Sequence, residues 1–336
     1  MQRETFVRAS TRRRSCGNAL ACAVLMAGMA GCASSAGNDV PEAPDANSGG
    51  PVDARVGGET DAAPGTPDHD AAVDGGGDAG TGLCCASGDC LCHGPDPTGL
   101  TSSNGSFATD RFTISTGTVH YPTNAEPPFA AVAICGGYTN TGPEMAPWGS
   151  FYASHGIVTV TVTTGAADQP AARSAKLLAA IAELEAEHAD PTSPLFGKLS
   201  GRYGTSGYSL GGGATTLASA SDPTLRTSVG LAAHSGVGTG VQVPTLLLCG
   251  QSDTTAPCSM SQGDYGQIPA TTPKMLLSIP GATHFSWFGP TNAGGGTSGK
   301  YALAFQKVFL EGDERWRPFL LAAPGGAAVR TTNIVE

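Results

Sequence analysis

"RYGTSGYSLGGGATTLASAS", residues 202–221, joins two kinds of structure within twenty positions. "RYGTSG" has the β-branched and aromatic texture of a short strand. "LGGGATTLASAS" reads as the start of a helix, so Ser209 falls at a strand-to-helix turn. A serine presented there sits in a strained backbone conformation with its hydroxyl exposed. Its neighbours at −2 and +2 must be tiny for strand and helix to approach, and here they are Gly207 and Gly211. Glycine makes up 48 of 336 residues, yet no other serine has glycine at both of those positions. The same turn aims the Leu210 amide and the helix N-terminus at the point where an oxyanion would form.

Around this turn, short apolar runs alternate with helical stretches. "RFTIS", "GTVHYP", "FAAVAICGG", "GIVTVTV", "TSVGLAA", "VPTLLLCG" and "PKMLLSIPG" read as further strands. In "QPAARSAKLLAAIAELEAEH", Leu177, Leu178, Ile181 and Leu184 share one face of a helix. Strands alternating with helices predict a mostly parallel α/β sheet covered on both faces. The first two strands, close together in the chain, predict an antiparallel edge. Roughly 225 residues suffice for one such domain with a large core.

A serine hydroxyl needs a base to take its proton. Two histidines follow Ser209. His284 lies in "SIPGATHFSWF", directly after the last apolar strand, and His234 in "LAAHSG" also follows a strand end. His284 is the expected base, with His234 lining the same cleft. An acid must orient the imidazole. Asp253 in "LLLCGQSDTTAP" follows a buried strand and lies between Ser209 and His284 in the chain. Its competitor, Asp222, precedes Pro223 at a helix end, where Asp usually caps or turns. The order Ser209, Asp253, His284 gives the expected triad. A second oxyanion donor should come from the loop after an early strand, and "AICGGYTNTG" supplies the Tyr138 amide. This chemistry calls for no metal and no cofactor.

The chain's first third has a different texture. Arg3, Arg8 and Arg12 to Arg14 precede an uncharged, mostly apolar run of about 12 residues, too short to span a bilayer. That run ends in Met29-Ala30-Gly31-Cys32, which resembles a bacterial lipoprotein cleavage box. Residues 1–32 are therefore expected to be an export leader, with Cys32 as lipid anchor at the outer membrane or cell surface; cleavage as an ordinary secretory signal is the alternative. Residues 33–82 carry ten acids against Arg55 and almost no large apolar side chain, the composition of a disordered tether. Most of the formal charge of −10 sits there, and nothing is basic enough to attract nucleic acid. A monomer is expected.

Of ten cysteines, Cys84, Cys85, Cys90, Cys92, Cys135, Cys249 and Cys258 follow Cys32. Residues 83–93, "LCCASGDCLCH", could hold a metal through four thiolates and His93. The spacing matches no zinc pattern, however, and an oxidising compartment favours disulfides. Seven is odd, so at least one thiol is unpaired within the chain; the pairing itself is not readable. The catalytic domain is expected over residues 94–322, with 323–336 as a C-terminal tail.

Residues 94–320 resemble bacterial cutinase-like polyester hydrolases, the group that includes poly(ethylene terephthalate) hydrolases. The likeness is carried by "GPDPT", "GTVHYPTN", "GGYTNTG", "ASHGIVTVTV", "DQPAARS", "SPLFGKLSGRYGTSGYSLGGG", "VPTLLLCGQSDTTAP" and "GATHF". It implies the α/β-hydrolase fold without a large lid. It maps Ser209, Asp253 and His284 onto a triad, and the amides of Tyr138 and Leu210 onto an oxyanion hole. Tyr138, Tyr208, Leu210, His234 and Phe285 would touch substrate. The family usually has an aromatic residue, often Trp, where this chain has His234, and commonly His or Trp at Tyr208. Phe285 and Trp287 are open between an apolar wall and core. No cysteine stands beside His284; Cys249 and Cys258 bracket Asp253 instead, with a pairing across that loop left open.

The resemblance implies a secreted or surface-tethered serine esterase acting on polyester or acyl esters. A lipase or carbohydrate acetyl esterase of the same fold is an alternative, as is a silent surface protein that binds lipid or glycan. Dienelactone hydrolases use Cys where this chain has Ser209.

Overall fold

A computed structural model describes residues 90–335. The leader, the acidic tether, Cys32, Cys84 and Cys85 lie outside the described residues.

Nine strands form one sheet: β1 (Thr109–Ile114), β2 (Gly117–Pro122), β3 (Phe129–Cys135), β4 (Val158–Val162), β5 (Leu199–Tyr208), β6 (Thr227–Leu231), β7 (Thr245–Gly250), β8 (Lys274–Ile279) and β9 (Val329–Thr332). Their order is β1-β2-β4-β3-β5-β6-β7-β8-β9. The pairs from β4 through β8 are parallel, while β1, β2 and β9 run antiparallel to their neighbours. The helices are α1 (Ala146–Ser154), α2 (Pro170–Ala189), α3 (Leu210–Ser221), α4 (Cys258–Gln267), α5 (Thr297–Phe305) and α6 (Arg317–Leu321). This is the α/β-hydrolase architecture.

The strand pattern explains why the sheet is covered on both sides. β3 is buried throughout, and its residues alternate between two cores. Ala130, Val132 and Ile134 pack on the side of Trp148, Phe151 and Tyr152 from α1 and Tyr301 and Phe305 from α5. Phe129, Ala131, Ala133 and Cys135 pack on the other side, against Leu177, Ile181 and Leu184 of α2. A period of two along a continuously apolar run is what a parallel strand between two helical layers requires. Each Val, Ile, Leu or Phe side chain among them contributes about 1.5–3 kcal/mol on burial. β7 repeats the device, with Leu246 and Leu248 facing one way and Leu247 and Cys249 the other.

Two expected boundaries change. The residues after 322, read as a tail, include β9, whose Thr331 pairs with Leu276 of β8. At the other end, residues 90–93 dock on the domain. The Leu91 N–H donates to the Glu311 carbonyl at 2.8 Å, and the His93 ring lies 3.0 Å from the Glu311 carboxylate. Cys90 and Cys92 are both disulfide-bonded, so their sulfurs are not free thiolates for a metal. Among the described residues Cys135 is the free cysteine; it is buried, and burial pushes its thiol pKa up to about 12. No helix among these residues is long and apolar enough to cross a membrane.

Candidate active site

β5 ends at Tyr208 and α3 begins at Leu210, leaving Ser209 alone at the turn with φ 57° and ψ −117°. For a non-glycine residue this backbone region costs of order 1–3 kcal/mol and persists only where the surroundings enforce it. They do: the Ser209 N–H donates to the Leu231 carbonyl at 2.9 Å, and the Ser209 carbonyl accepts from the N–H groups of Gly213 and His234. The flanking glycines are required by contact. A Cβ on Gly207 would lie 2.3 Å from the Gly211 carbonyl oxygen, and one on Gly211 2.5 Å from that of Cys135.

The Ser209 hydroxyl lies 3.0 Å from Nε2 of His284, which sits in the loop after β8. On the far side of the ring, His284 Nδ1 lies 2.8 Å from Oδ2 of Asp253, in the loop between β7 and α4. A carboxylate only accepts, so Nδ1 carries the ring proton and Nε2 presents its lone pair to the hydroxyl. The other carboxylate oxygen, Oδ1, accepts from the backbone N–H of Thr255 at 2.8 Å and of Ala256 at 2.7 Å. All three side chains are buried, so the relay is shielded from water. Asp222 is engaged elsewhere, accepting from the N–H and hydroxyl of Thr224.

Cys249 and Cys258 pair, closing the loop that carries Asp253 with their Cα atoms 5.2 Å apart. A loop of that length removes about 2–3 kcal/mol of unfolded-chain freedom in the loop-entropy account.

The loop after β3 lies against the nucleophile. A Cβ on Gly137 would stand 2.6 Å from the Ser209 Cβ and 3.1 Å from its hydroxyl. The next backbone N–H belongs to Tyr138. Among the described residues neither that N–H nor the Leu210 N–H has a hydrogen-bond partner. Leu210 follows Ser209 in the chain, and Tyr138 lines the same cleft as Ser209.

The cleft over Ser209 has a volume of about 400 Å³ and is lined by Tyr138, Thr139, Tyr208, Leu210, His234, Thr255, His284 and Phe285. Tyr138 and Phe285 are the exposed walls, 63% and 72% accessible. Tyr208 is buried, its ring 5.2 Å from that of His284. Burial first, and then the Asp253 charge, raise its phenol pKa, which keeps it protonated. His234 faces the cleft with Nδ1 2.8 Å from the Ser235 hydroxyl. Trp287, two residues beyond Phe285, belongs to the core: it is fully buried, donates to the Thr283 carbonyl and accepts from Trp148 Nε1. Thr139 and Thr255 also line the cleft. In the sequence their only signal is nearness to Tyr138 and Asp253. Another cavity of about 420 Å³, bounded by His93, Phe107, His155 and Trp316, holds no serine–histidine–carboxylate relay.

A family model described as PETase, PET hydrolase-like, matches residues 86–334. Among curated proteins, the chain is 34% identical over 214 residues to a bis(hydroxyethyl) terephthalate hydrolase of Streptomyces coelicolor, covering 62% of this chain and 66% of that one. It is 32% identical over 247 residues to Cutinase 1 of Thermobifida cellulosilytica, covering 69% of this chain and 91% of that enzyme. It is 32% identical over 247 residues to a cutinase of Thermobifida fusca, covering 69% of this chain and 79% of that enzyme.

Proposed function

The chain belongs to the PET hydrolase-like family of serine carboxylic-ester hydrolases, and from that premise we propose that Ser209, His284 and Asp253 cleave polyester chains through an acyl-enzyme. The observation that carries this reading is the continuous relay of 3.0 and 2.8 Å beneath an open, aromatic-walled cleft. Ser209 Oγ attacks the ester carbonyl while His284 Nε2 takes its proton. Asp253 stabilises the imidazolium, and the Tyr138 and Leu210 N–H groups hold the oxyanion. As the intermediate collapses, His284 returns the proton to the departing alcohol. Water then repeats the sequence, releasing the acid and restoring the serine.

The flanking rings favour a flat or extended acyl chain, and the cleft opens directly to solvent at Tyr138 and Phe285, as a polymer segment needs. His234 offers less apolar area than a larger aromatic side chain would, which directs the proposal toward aliphatic as well as aromatic polyesters. Turnover of p-nitrophenyl acetate and butyrate, together with release of soluble acid from an aliphatic polyester film, is the expected result. Cleavage of the small esters with an untouched film would restrict the enzyme to small substrates.

We further propose that the protein is exported and tethered through Cys32, on the strength of the leader composition and the small residues before that cysteine. Cys32→Ser should move the protein from the membrane fraction to the soluble one. Unchanged fractionation removes the anchor.

A further inference from the structure

Arg173 lies on α2 and is wholly buried, yet among the described residues it forms no ion pair with a carboxylate. Asp168, whose charge acts on Arg173, has its side chain hydrogen-bonded by Lys176 Nζ at 2.8 Å and by the Gly165 N–H. The Arg173 guanidinium instead spreads its donors over two loops. Nη1 reaches the Gly136 carbonyl at 2.8 Å and the Thr164 hydroxyl at 2.6 Å. Nη2 reaches the Gly165 carbonyl at 3.0 Å, and Nε that of Asp168 at 2.8 Å. Burying a cation whose hydrogen bonds go to dipoles is costly, and a planar fork is the one side chain that can tie several carbonyls at fixed angles.

The loop it holds is the one that carries Tyr138. Thr139 N–H donates to the Ala166 carbonyl, the Thr164 hydroxyl to that of Asn140, and Asn140 Oδ1 accepts from the Gly137 N–H at 3.1 Å. Residues 136–140 are thereby pinned to residues 164–168 by direct bonds and by the guanidinium that both segments share, and a Cβ on Gly137 would stand only 2.6 Å from that of Ser209.

We propose that Arg173 is a positioning residue for the oxyanion hole, fixing the loop that presents the Tyr138 N–H, with Asn140 as its partner inside that loop. The proposal rests on the reading of Ser209 as nucleophile and of the Tyr138 and Leu210 amides as oxyanion donors. Such donors act only when held about 2.7–3.1 Å from the developing oxyanion, and losing one costs about 10²–10³-fold in kcat. Lysine keeps the charge but reaches one acceptor cluster instead of two loops.

The test compares wild type, Arg173→Lys and Asn140→Ala for p-nitrophenyl butyrate kinetics and for inhibition by phenylboronic acid, which forms a tetrahedral adduct on a serine hydroxyl. The expected result for both variants is kcat lower by about 10–100-fold, KM within about threefold, and a boronate inhibition constant raised in step with the loss of kcat. A purely structural role would reduce the fraction of active molecules and leave the boronate constant unchanged. That outcome, or wild-type kcat in Arg173→Lys, overturns the proposal; Asn140→Ala decides if the lysine variant does not fold. A wild type that neither turns over the ester nor binds the boronate defeats the Ser209 reading as well. A wild type that does both while the variants match it defeats the Arg173 inference alone.

Discussion

Ser209→Ala should lower kcat for p-nitrophenyl butyrate by about 10⁴-fold or more, with KM changed little. The size follows from the chemistry at one atom. Without Oγ there is no acyl-enzyme, and His284 Nε2, which lies 3.0 Å from the hydroxyl, has nothing to deprotonate but water. The cleft walls are untouched, so ground-state binding by Tyr138 and Phe285 persists. Alanine at φ 57° carries the same backbone strain as serine, and the glycine contacts that enforce the turn are main-chain contacts. Folding should therefore be retained, and the loss should be read in kcat. Initial-rate kinetics on both proteins, with circular dichroism to compare their folds, check this. Equal rates would remove Ser209 from the reaction.

Asp253→Asn should cost about 10⁴-fold in kcat for a different reason. The Thr255 and Ala256 N–H groups both donate to Oδ1 and demand an acceptor there. An asparagine must place its carbonyl oxygen toward them, which turns its NH₂ toward His284 Nδ1. A donor at that point forces Nδ1 to accept, so the ring proton moves to Nε2, where the base for Ser209 is needed. The geometry stays and the tautomer is wrong. Comparison with Asp253→Glu, which keeps an acceptor, separates the tautomer effect from the loss of a carboxylate. A kcat within tenfold of wild type for Asp253→Asn would show that the ring is not oriented through this contact.

The strand-turn-helix at Ser209 was legible because sterics at Gly207 and Gly211 leave almost no other use for that spacing. Among the eight strands that were legible, β3, β4 and β7 are buried throughout, and continuous apolar runs announce that. β9 was not. "VRTT" is half exposed, and what makes it a strand is main-chain pairing with β8, which leaves no apolar pattern.

Asp253 and His284 could be picked out by their places just after strands, but His234 has a similar place. Only the fold decides which imidazole reaches the hydroxyl. Phe285 and Trp287 look alike in sequence, yet one walls the cleft and the other fills the core, because the loop after His284 turns between them. Arg173 was visible within "DQPAARS" without a role. Its partners are mostly carbonyl oxygens, which every residue possesses, so no side-chain pattern could name them. The Cys249–Cys258 pairing likewise depended on β7 and α4 bringing two chain ends to 5.2 Å.

The proposed reaction requires Ser209 Oγ to be the atom that becomes acylated. Peptide mapping by mass spectrometry, after treatment with a p-nitrophenyl alkylphosphonate, reads this directly. One phosphonyl group per protein on the peptide containing Ser209, with activity lost in proportion, is the expected result. Full inactivation with the label on another residue, or an enzyme that still hydrolyses esters with Ser209 fully labelled, would contradict it.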